Sequence, residues 1–213
     1  MGVSVLTASE KRSSVDRDQL KRIALAREQL VFLLQLAYSG ELAATRAYLG
    51  HRHSVEGLER AEIGKIVRDE IRHRHCLLEM MGSLGAAPDA FRERKMERVG
   101  RSIALFCHVG GWFLPMYGAA RLEAQNIKEY ELAARLAHAA ELNHLVQPFL
   151  EMAEVEWDHE NYFRHKAMRR WLWRLMPKWP IPGPRSQIRS SFEEFRRAGT
   201  LPVPIVRAPL IVR

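Results

Sequence analysis

The sequence has few cysteines, and their scarcity excludes two kinds of protein. Only Cys76 and Cys107 occur among the 213 residues. Two separated thiols provide neither the disulfide framework of a small secreted domain nor the closely spaced cysteine pairs of a zinc-binding module. We therefore expect a protein of a reducing compartment, located in the cytoplasm.

Long apolar segments are also missing. The first 19 residues become polar before an apolar stretch has formed, so they do not resemble a secretory signal. The most apolar stretch, SIALFCHVGGWFLPMY (102–117), is shorter than the roughly 18–20 residues that a membrane-spanning helix needs. The sequence therefore predicts no membrane-spanning helix.

Excess positive charge is missing from the body of the chain, although the formal net charge of the whole is +8. Residues 164–213 contain 12 Lys/Arg and two Glu, a net charge of +10, and residues 1–163 contain 21 Lys/Arg and 23 Asp/Glu, a net charge of −2. A nearly neutral body is a poor nucleic-acid partner, whereas a basic C-terminal segment suits an anionic surface.

Strand-like alternation of apolar and polar residues is absent from the middle of the chain, where Ala, Leu, Glu, Arg and Met predominate. This pattern predicts helices near 18–53, 56–82, 116–141 and 146–176. A short link, a long connection and a second short link join the four helices in that order. The order is that of an all-α, ferritin-like four-helix bundle with one long crossover connection.

The two ends of the chain are predicted to lie outside this bundle of residues 18–176. We expect residues 1–17 to be disordered. Residues 177–213 contain seven prolines and form a Pro-rich basic tail, for which we expect no packed structure beyond a short helix near 190–198.

Each predicted helix has an apolar seam, a row of residues at alternating steps of three and four that faces the other helices. The seams run from Leu30 to Tyr48, from Ile63 to Met80, from Met116 to Ala137 and from Leu145 to Phe163. Near its middle each seam carries a glutamate: Glu41, Glu70, Glu123 and Glu156 respectively. Two of these glutamates are followed three residues later by a histidine, His73 or His159.

Four glutamates buried at one level of a bundle need compensating charge, because an unpaired buried carboxylate costs several kcal/mol or takes up a proton. Two iron ions, or alternatively two manganese ions, would provide it. One Glu from each of two helices and a Glu-x-x-His pair from each of the other two are the ligand set of a dinuclear carboxylate centre. The i, i+3 spacing places each Glu and His on one helix face. The predicted metal ligands are Glu41, Glu70, His73, Glu123, Glu156 and His159.

Chance also produces Glu-x-x-His pairs. With 20 glutamates and nine histidines in the chain, roughly one pair is expected at random, and three occur. The third, Glu141 with His144, follows Glu123 too closely to face it across a turn and has no partner glutamate. We interpret it as the chance pair.

Four stretches resemble the demethoxyubiquinone hydroxylases, which are ferritin-like di-iron monooxygenases of ubiquinone biosynthesis. They are GELAATRAYLGH (40–51), Glu70 to His73, LEAQNIKEY (122–130) and EVEWDH (154–159). The metal pattern is shared with rubrerythrins, aldehyde-deformylating oxygenases and bacterioferritins, but the Gly-Glu and Tyr-x-Gly of the first stretch are closer to the hydroxylases. The resemblance implies an oxygen-activating enzyme with two iron ions and a quinone-like or other lipophilic substrate.

The resemblance also implies roles for individual residues. Glu70 and Glu156 would bridge the irons, and Glu41 and Glu123 would be terminal ligands. Tyr130 would be a catalytic group beside the ligands and near the substrate. The chain departs from the family pattern at Glu129, where the hydroxylases often have His, which weakens the expectation that a nicotinamide cofactor reduces the iron through the quinone.

Two segments are candidates for contact with lipid. Residues 102–117 could form a lipid-facing lip of a substrate channel, or simply a crossover helix that covers the bundle end. Residues 168–185 place three tryptophans among five Lys/Arg, a composition typical of an interfacial anchor on an anionic membrane. The alternative for 168–185 is a helix end with dipole-matching cations and packed aromatics. The anchor interpretation predicts a peripheral enzyme on the inner face of the cell membrane.

Three other functions remain open at this point. The first is a ferroxidase or peroxide-handling protein, which would form a homo-oligomer. It would use the apolar C-terminal segment LPVPIVRAPLIVR (201–213) as a docking peptide. The second is a di-iron hydroxylase of RNA bases, which the neutral body disfavours. The third is a metal-free interaction module, which would require the seam glutamates to be exposed.

Overall fold

The computed structural model describes residues 8–199, with side chains described from residue 17 onward. Over this range the chain is all-α, as predicted, and no strand lies within it. The helices are α1 (Ala8–His53), α2 (Gly57–Ser83), α3 (Ala90–Val109), α4 (Phe113–Ala139), α5 (Val146–Met168) and α6 (Gln187–Arg197). Short 3₁₀ turns, Asn143–Leu145 and Trp171–Leu175, precede and follow α5.

Helices α1, α2, α4 and α5 enclose a common interior. Helix α1 packs against α2 and α4, and α4 packs along α5. The predicted seam residues of all four helices are buried, except that Ala37 and Ala44 are half-buried. The three-and-four spacing therefore identified the inner faces correctly.

Two helix boundaries differ from the prediction. Helix α1 begins at Ala8, earlier than the predicted start near residue 18. Helix α5 ends at Met168, so the prediction that it continues to 176 is wrong. The chain leaves the helix at Arg170, whose backbone is extended (φ −101°, ψ 141°). Trp173 can then pack against Tyr117, with ring centroids 6.1 Å apart.

The long crossover contains helix α3, which lies along α1. Asp89 caps its first turn by accepting hydrogen bonds from the amides of Phe91 and Arg92. The two helices approach closely at glycines: a Cβ on Gly100 would lie 2.7 Å from the Ala43 carbonyl oxygen, and one on Gly50 would lie 2.5 Å from the Ala104 Cα. The crossover is therefore a packed helix along the bundle side, not a cover over its end.

The segment after α5 also packs on the bundle. The short helix predicted near 190–198 is present as α6, and its Ile188 and Phe192 are buried in the core formed by α1, α2, α4 and α5. Before α6, the Trp157 indole donates a hydrogen bond to the Gly183 carbonyl at 2.8 Å. The expectation of no other packed structure is thus wrong for residues 177–199. The apolar C-terminal residues 201–213 lie outside the described residues.

One end of the molecule exposes apolar side chains. The α1–α2 link, the α3–α4 link and the segment after α5 meet there, as shown by the stacked rings of His53 and His108 and by Arg170 over the Trp112 ring. We define the apolar end by five exposed residues, Leu58, Leu105, Val109, Trp171 and Leu175. Within the described part of the chain, no helix is both long and apolar enough to cross a membrane.

Candidate metal centre

The structure brings the six predicted ligands together in the interior. Helix α1 contributes Glu41, α2 contributes Glu70 and His73, α4 contributes Glu123, and α5 contributes Glu156 and His159. Their exposed fractions range from 0% to 4%. The metal-free interaction module required exposed glutamates, and this burial argues against it.

The six side chains form two groups that could each hold a metal ion. The ligand atoms of each group lie within 4.8 Å of one another. One group contains Glu41, Glu70, His73 and Glu156, and the other contains Glu70, Glu123, Glu156 and His159. Glu70 and Glu156 belong to both groups, whereas Glu41 and Glu123 belong to one each.

Both imidazoles direct Nδ1 at the carboxylates. His73 Nδ1 lies 2.9 Å from Glu156 Oε1 and 3.6 Å from Glu41 Oε1. His159 Nδ1 lies 3.3 Å from Glu70 Oε1 and 3.7 Å from Glu156 Oε2. The atoms are close together, but neither Nδ1 atom has a hydrogen-bond partner.

The donor atoms of the cluster are largely without hydrogen-bond partners. Seven buried atoms lack one: Glu41 Oε2, both oxygens of Glu70, His73 Nδ1, both oxygens of Glu156 and His159 Nδ1. A buried polar atom without a partner costs about 1–3 kcal/mol, and a charged one costs more. Oxygen and imidazole donors that converge in this way fit divalent or trivalent iron or manganese, because metal coordination would satisfy all of them.

The electrostatics of the cluster reflect the concentration of negative charge. Burial and the charges of Glu41 and Glu156 raise the pKa of Glu70 well above its usual range. Burial alone would lower the pKa of His73, but the adjacent Glu156 and Glu41 carboxylates outweigh it and raise that pKa to about 10. Burial acts on His159 in the same way, and Asp69 and Glu156 raise its pKa to about 10. Without metal, the cluster therefore retains protons that a metal ion would displace.

Two tyrosines hold the Glu41 and Glu123 carboxylates in a crosswise pattern. The Tyr130 hydroxyl donates to Glu41 Oε1, and the Tyr48 hydroxyl donates to Glu123 Oε1. Each tyrosine follows one glutamate by seven residues along its own helix but binds the glutamate of the other helix. Asn126 donates to the second oxygen of Glu123 at 2.8 Å. The pairing fixes the direction in which Glu41 and Glu123 point.

Sequence reasoning missed Asp69. Its Oδ2 lies 3.4 Å from His159 Nε2, on the side of the ring opposite the cluster, and its Oδ1 accepts a hydrogen bond from Arg72 at 2.7 Å. A carboxylate at this position fixes the tautomer of a metal-binding histidine and makes the ring more basic. The available signal was an acid directly before the first Glu-x-x-His, which the second motif lacks because Val155 precedes Glu156.

The third Glu-x-x-His pair lies elsewhere. Glu141 adopts a left-handed backbone (φ 60°) in the link after α4, and His144 lies in the following 3₁₀ turn. Both are exposed, and Glu141 accepts a hydrogen bond from Gln19. Neither belongs to a group of potential metal ligands among the described residues.

An apolar cavity adjoins the centre between α1, α3 and α4. Its volume is about 290 Å³, and its lining includes Tyr48 and Asn126, the two residues that donate to Glu123. Exposed Phe106 and Leu114 line it toward the α3–α4 link. Tyr130, which was predicted to lie near the substrate, is not among the lining residues.

Comparisons of the chain with protein-family models, with curated proteins and with solved structures find no match. Assignment of the centre therefore depends on the residues of this chain alone.

Proposed function

We propose that this protein is a ferritin-like, di-iron carboxylate oxidoreductase that activates dioxygen and hydroxylates a quinone-like or other lipophilic substrate at a membrane surface. The observation that carries the proposal is the convergence of four buried carboxylates and two imidazoles, seven of whose atoms have no hydrogen-bond partner. A structural bundle without metal would gain stability by replacing such groups with apolar residues.

The distribution of ligands supports two metal ions. Glu70 and Glu156, which are common to both groups, would bridge the ions, and Glu41 with His73 and Glu123 with His159 would complete one site each. When bound, two iron ions would supply the two-electron reduction of dioxygen. The chain supplies ligand geometry through Tyr48, Tyr130 and Asp69, and its apolar seams exclude water from the centre.

The adjoining cavity favours hydroxylation over ferroxidase chemistry, which needs no organic substrate. Its wall is mostly aliphatic and aromatic, so it suits an apolar ligand. The hydroxylation inserts one oxygen atom of dioxygen into a C–H bond and releases the other as water. An external reductant supplies the two electrons, and two protons are consumed.

The apolar end supports action at a membrane. Exposed Trp171 and Leu175 lie beside Arg169, Arg170 and Arg174, which suits the interface of an anionic bilayer. Trp173 and Trp179 pack inward on Tyr117, so they are not membrane contacts. The proposal thus places the protein in the cytoplasm, peripherally on the inner face of the cell membrane.

The test compares lipids from cells that produce wild-type protein, Glu70→Ala or Glu79→Ala under isotopically labelled dioxygen. Glu79 is an exposed acid of the same helix and serves as the matched control. In cells with wild type or Glu79→Ala, we expect a lipid that carries one labelled oxygen atom. In cells with Glu70→Ala, we expect the precursor of this lipid, which lacks that oxygen atom. Identical lipid profiles in all three strains would reject the hydroxylase.

A further inference from the structure

The cavity beside the metal centre is lined by polar side chains of two helices: Tyr48 and His51 of α1, and three residues of α4. Gln125, Asn126 and Glu129 of α4 line it at steps of one and three residues. Leu114, also on α4, lines the cavity 15 residues earlier, roughly 22 Å along the helix axis at 1.5 Å per residue. The cavity is therefore long. Its α4 wall is apolar near the α3–α4 link and polar at the other end, where Gln125 is exposed and Glu129 is half-buried.

Glu129 is the acidic side chain of this polar end of the cavity. Its Oε1 accepts a hydrogen bond from the Gln125 amide at 2.9 Å, which leaves the second carboxyl oxygen for another partner. Glu129 is half-buried, and this burial raises its pKa to about 7. The side-chain amide of Asn126 already donates a hydrogen bond to Glu123.

We infer that Glu129 recognises the polar end of an otherwise apolar ligand in this cavity, and that this end carries a hydroxyl group, as in an alkylphenol. A hydroxyl can donate to a carboxylate oxygen and can also accept from a carboxyl proton, so it binds either form of Glu129. An anionic head group would be repelled by the carboxylate and the four glutamates of the centre. This inference rests on the proposed function, because it assigns a substrate class to the same cavity.

The experiment measures binding of two matched probes, 4-pentylphenol and pentylbenzene, to the full-length protein as purified and without oxygen. Isothermal titration calorimetry gives both dissociation constants. One hydrogen bond to the half-buried carboxyl group of Glu129 is expected to make the phenol bind about tenfold more tightly. In Glu129→Met the preference should fall to about twofold or less, whereas Glu129→Gln should keep most of it.

Two variants control for location and for charge. Gly118 lines the cavity, and no atom lies within 4 Å of a Cβ placed there, so Gly118→Phe fills the space and should weaken both probes at least tenfold. Glu131, a half-buried acid of the same helix outside the lining, provides Glu131→Met, which should leave the preference unchanged.

Equal binding of both probes to wild type, or a tenfold preference that persists in Glu129→Met, would overturn the role of Glu129 and leave the apolar channel intact. Failure of both probes to bind wild type would overturn the channel itself, and with it the lipophilic substrate. The wild-type comparison needs no folded variant, so equal binding of the two probes would overturn the inference even where a substitution prevents folding.

Discussion

At the scale of single residues, the ligands of the proposed centre are held by partners from other helices. Tyr130 on α4 donates to Glu41 on α1, Tyr48 on α1 donates to Glu123 on α4, and Asp69 on α2 contacts His159 on α5. Because each contact crosses between helices, ligand geometry is coupled to helix packing. The supporting groups should therefore influence metal affinity without touching the metal.

Asp69→Asn tests this coupling. The amide keeps the shape of the carboxylate but removes the charge that orients His159, so metal affinity should fall about 10–100-fold. Titration of metal-free protein with Fe²⁺ under anaerobic conditions measures the change. Asp158→Asn, an exposed substitution beside His159, is the control and should change affinity by less than about twofold. Equal affinities for wild type and Asp69→Asn would show that the contact does not act on the metal.

His51 gives a pH-dependent prediction. Burial lowers its pKa from 6.5 to about 4, so the folded protein holds this ring neutral while the unfolded chain takes up a proton below pH 6.5. The contribution of neutral His51 to stability is complete above pH 6.5 and is lost as pH falls toward 4. At about 1.4 kcal/mol per pKa unit, the loss is about 3 kcal/mol.

Urea unfolding of metal-free wild type and His51→Gln between pH 7.5 and 4 measures this loss. The free energy of unfolding should fall more steeply with decreasing pH in wild type. Parallel curves for the two proteins would contradict the neutral, buried state of His51.

The clustering of the proposed ligands was predictable because it depends on helical periodicity, whereas the hydrogen-bond partners of these ligands were not predictable. Glu41 and Glu123 were found by their place on apolar seams, 29 and 33 residues before Glu70 and Glu156. The crosswise tyrosine bonds and the contact of Asp69 with His159 depend on how the helices are rotated and offset. One sequence without structure does not determine that offset.

At the scale of elements, the close contact between α1 and α3 leaves no room for a side chain at Gly100. A Cβ on Gly100 would overlap backbone atoms of Ala43, so Gly100→Ala must move the helices apart. We expect a loss of about 2 kcal/mol in the free energy of unfolding, typical of overpacking. Because α3 also forms a wall of the apolar cavity, the affinity of Gly100→Ala for pentylbenzene should differ from that of wild type.

Gly82→Ala is the matched control for this substitution. Gly82 is exposed in helix α2, and no atom lies within 4 Å of a Cβ placed there. Alanine should therefore stabilise the protein by about 0.5–1 kcal/mol. Denaturant unfolding of both variants measures whether the free energy of unfolding falls or rises. A Gly100→Ala protein as stable as wild type would contradict the close packing.

The elements with strong periodicity were predicted well, and those defined by tertiary contact were not. Helices α1, α2, α4 and α5 and the short helix α6 follow from composition and spacing, whereas α3 lies where a long connection was predicted. The end of α5 at Met168 and the packing of residues 177–199 do not, because proline and basic residues there suggested an unpacked tail. The segment packs despite this composition because Ile188 and Phe192 are buried and Arg189 forms a salt bridge with Glu154.

At the scale of the whole molecule, charge and exposed apolar surface coincide at one end. Wild-type protein should bind phosphatidylglycerol vesicles and bind phosphatidylcholine vesicles at least tenfold more weakly. Replacing Trp171 and Leu175 by Ser should reduce binding about tenfold, because both side chains leave the interface. Vesicle sedimentation measures each affinity.

The control for this prediction replaces Leu20 and Leu25, exposed residues of α1 far along the helix from the apolar end, by Ser. This double variant should bind vesicles like wild type. An equal loss of vesicle binding in both double variants, or equal binding to anionic and neutral vesicles, would contradict the assignment of the membrane-facing end.

The most direct test of the central claim is the metal content of purified protein, measured by inductively coupled plasma mass spectrometry. The proposed centre predicts about two iron ions per chain in wild type. Glu70→Ala and His159→Ala should each lose most of this metal, and His144→Ala, which removes the exposed histidine of the third Glu-x-x-His pair, should retain it. Iron-free wild-type protein after growth in iron, or full metal content in Glu70→Ala and His159→Ala, would contradict the di-iron centre.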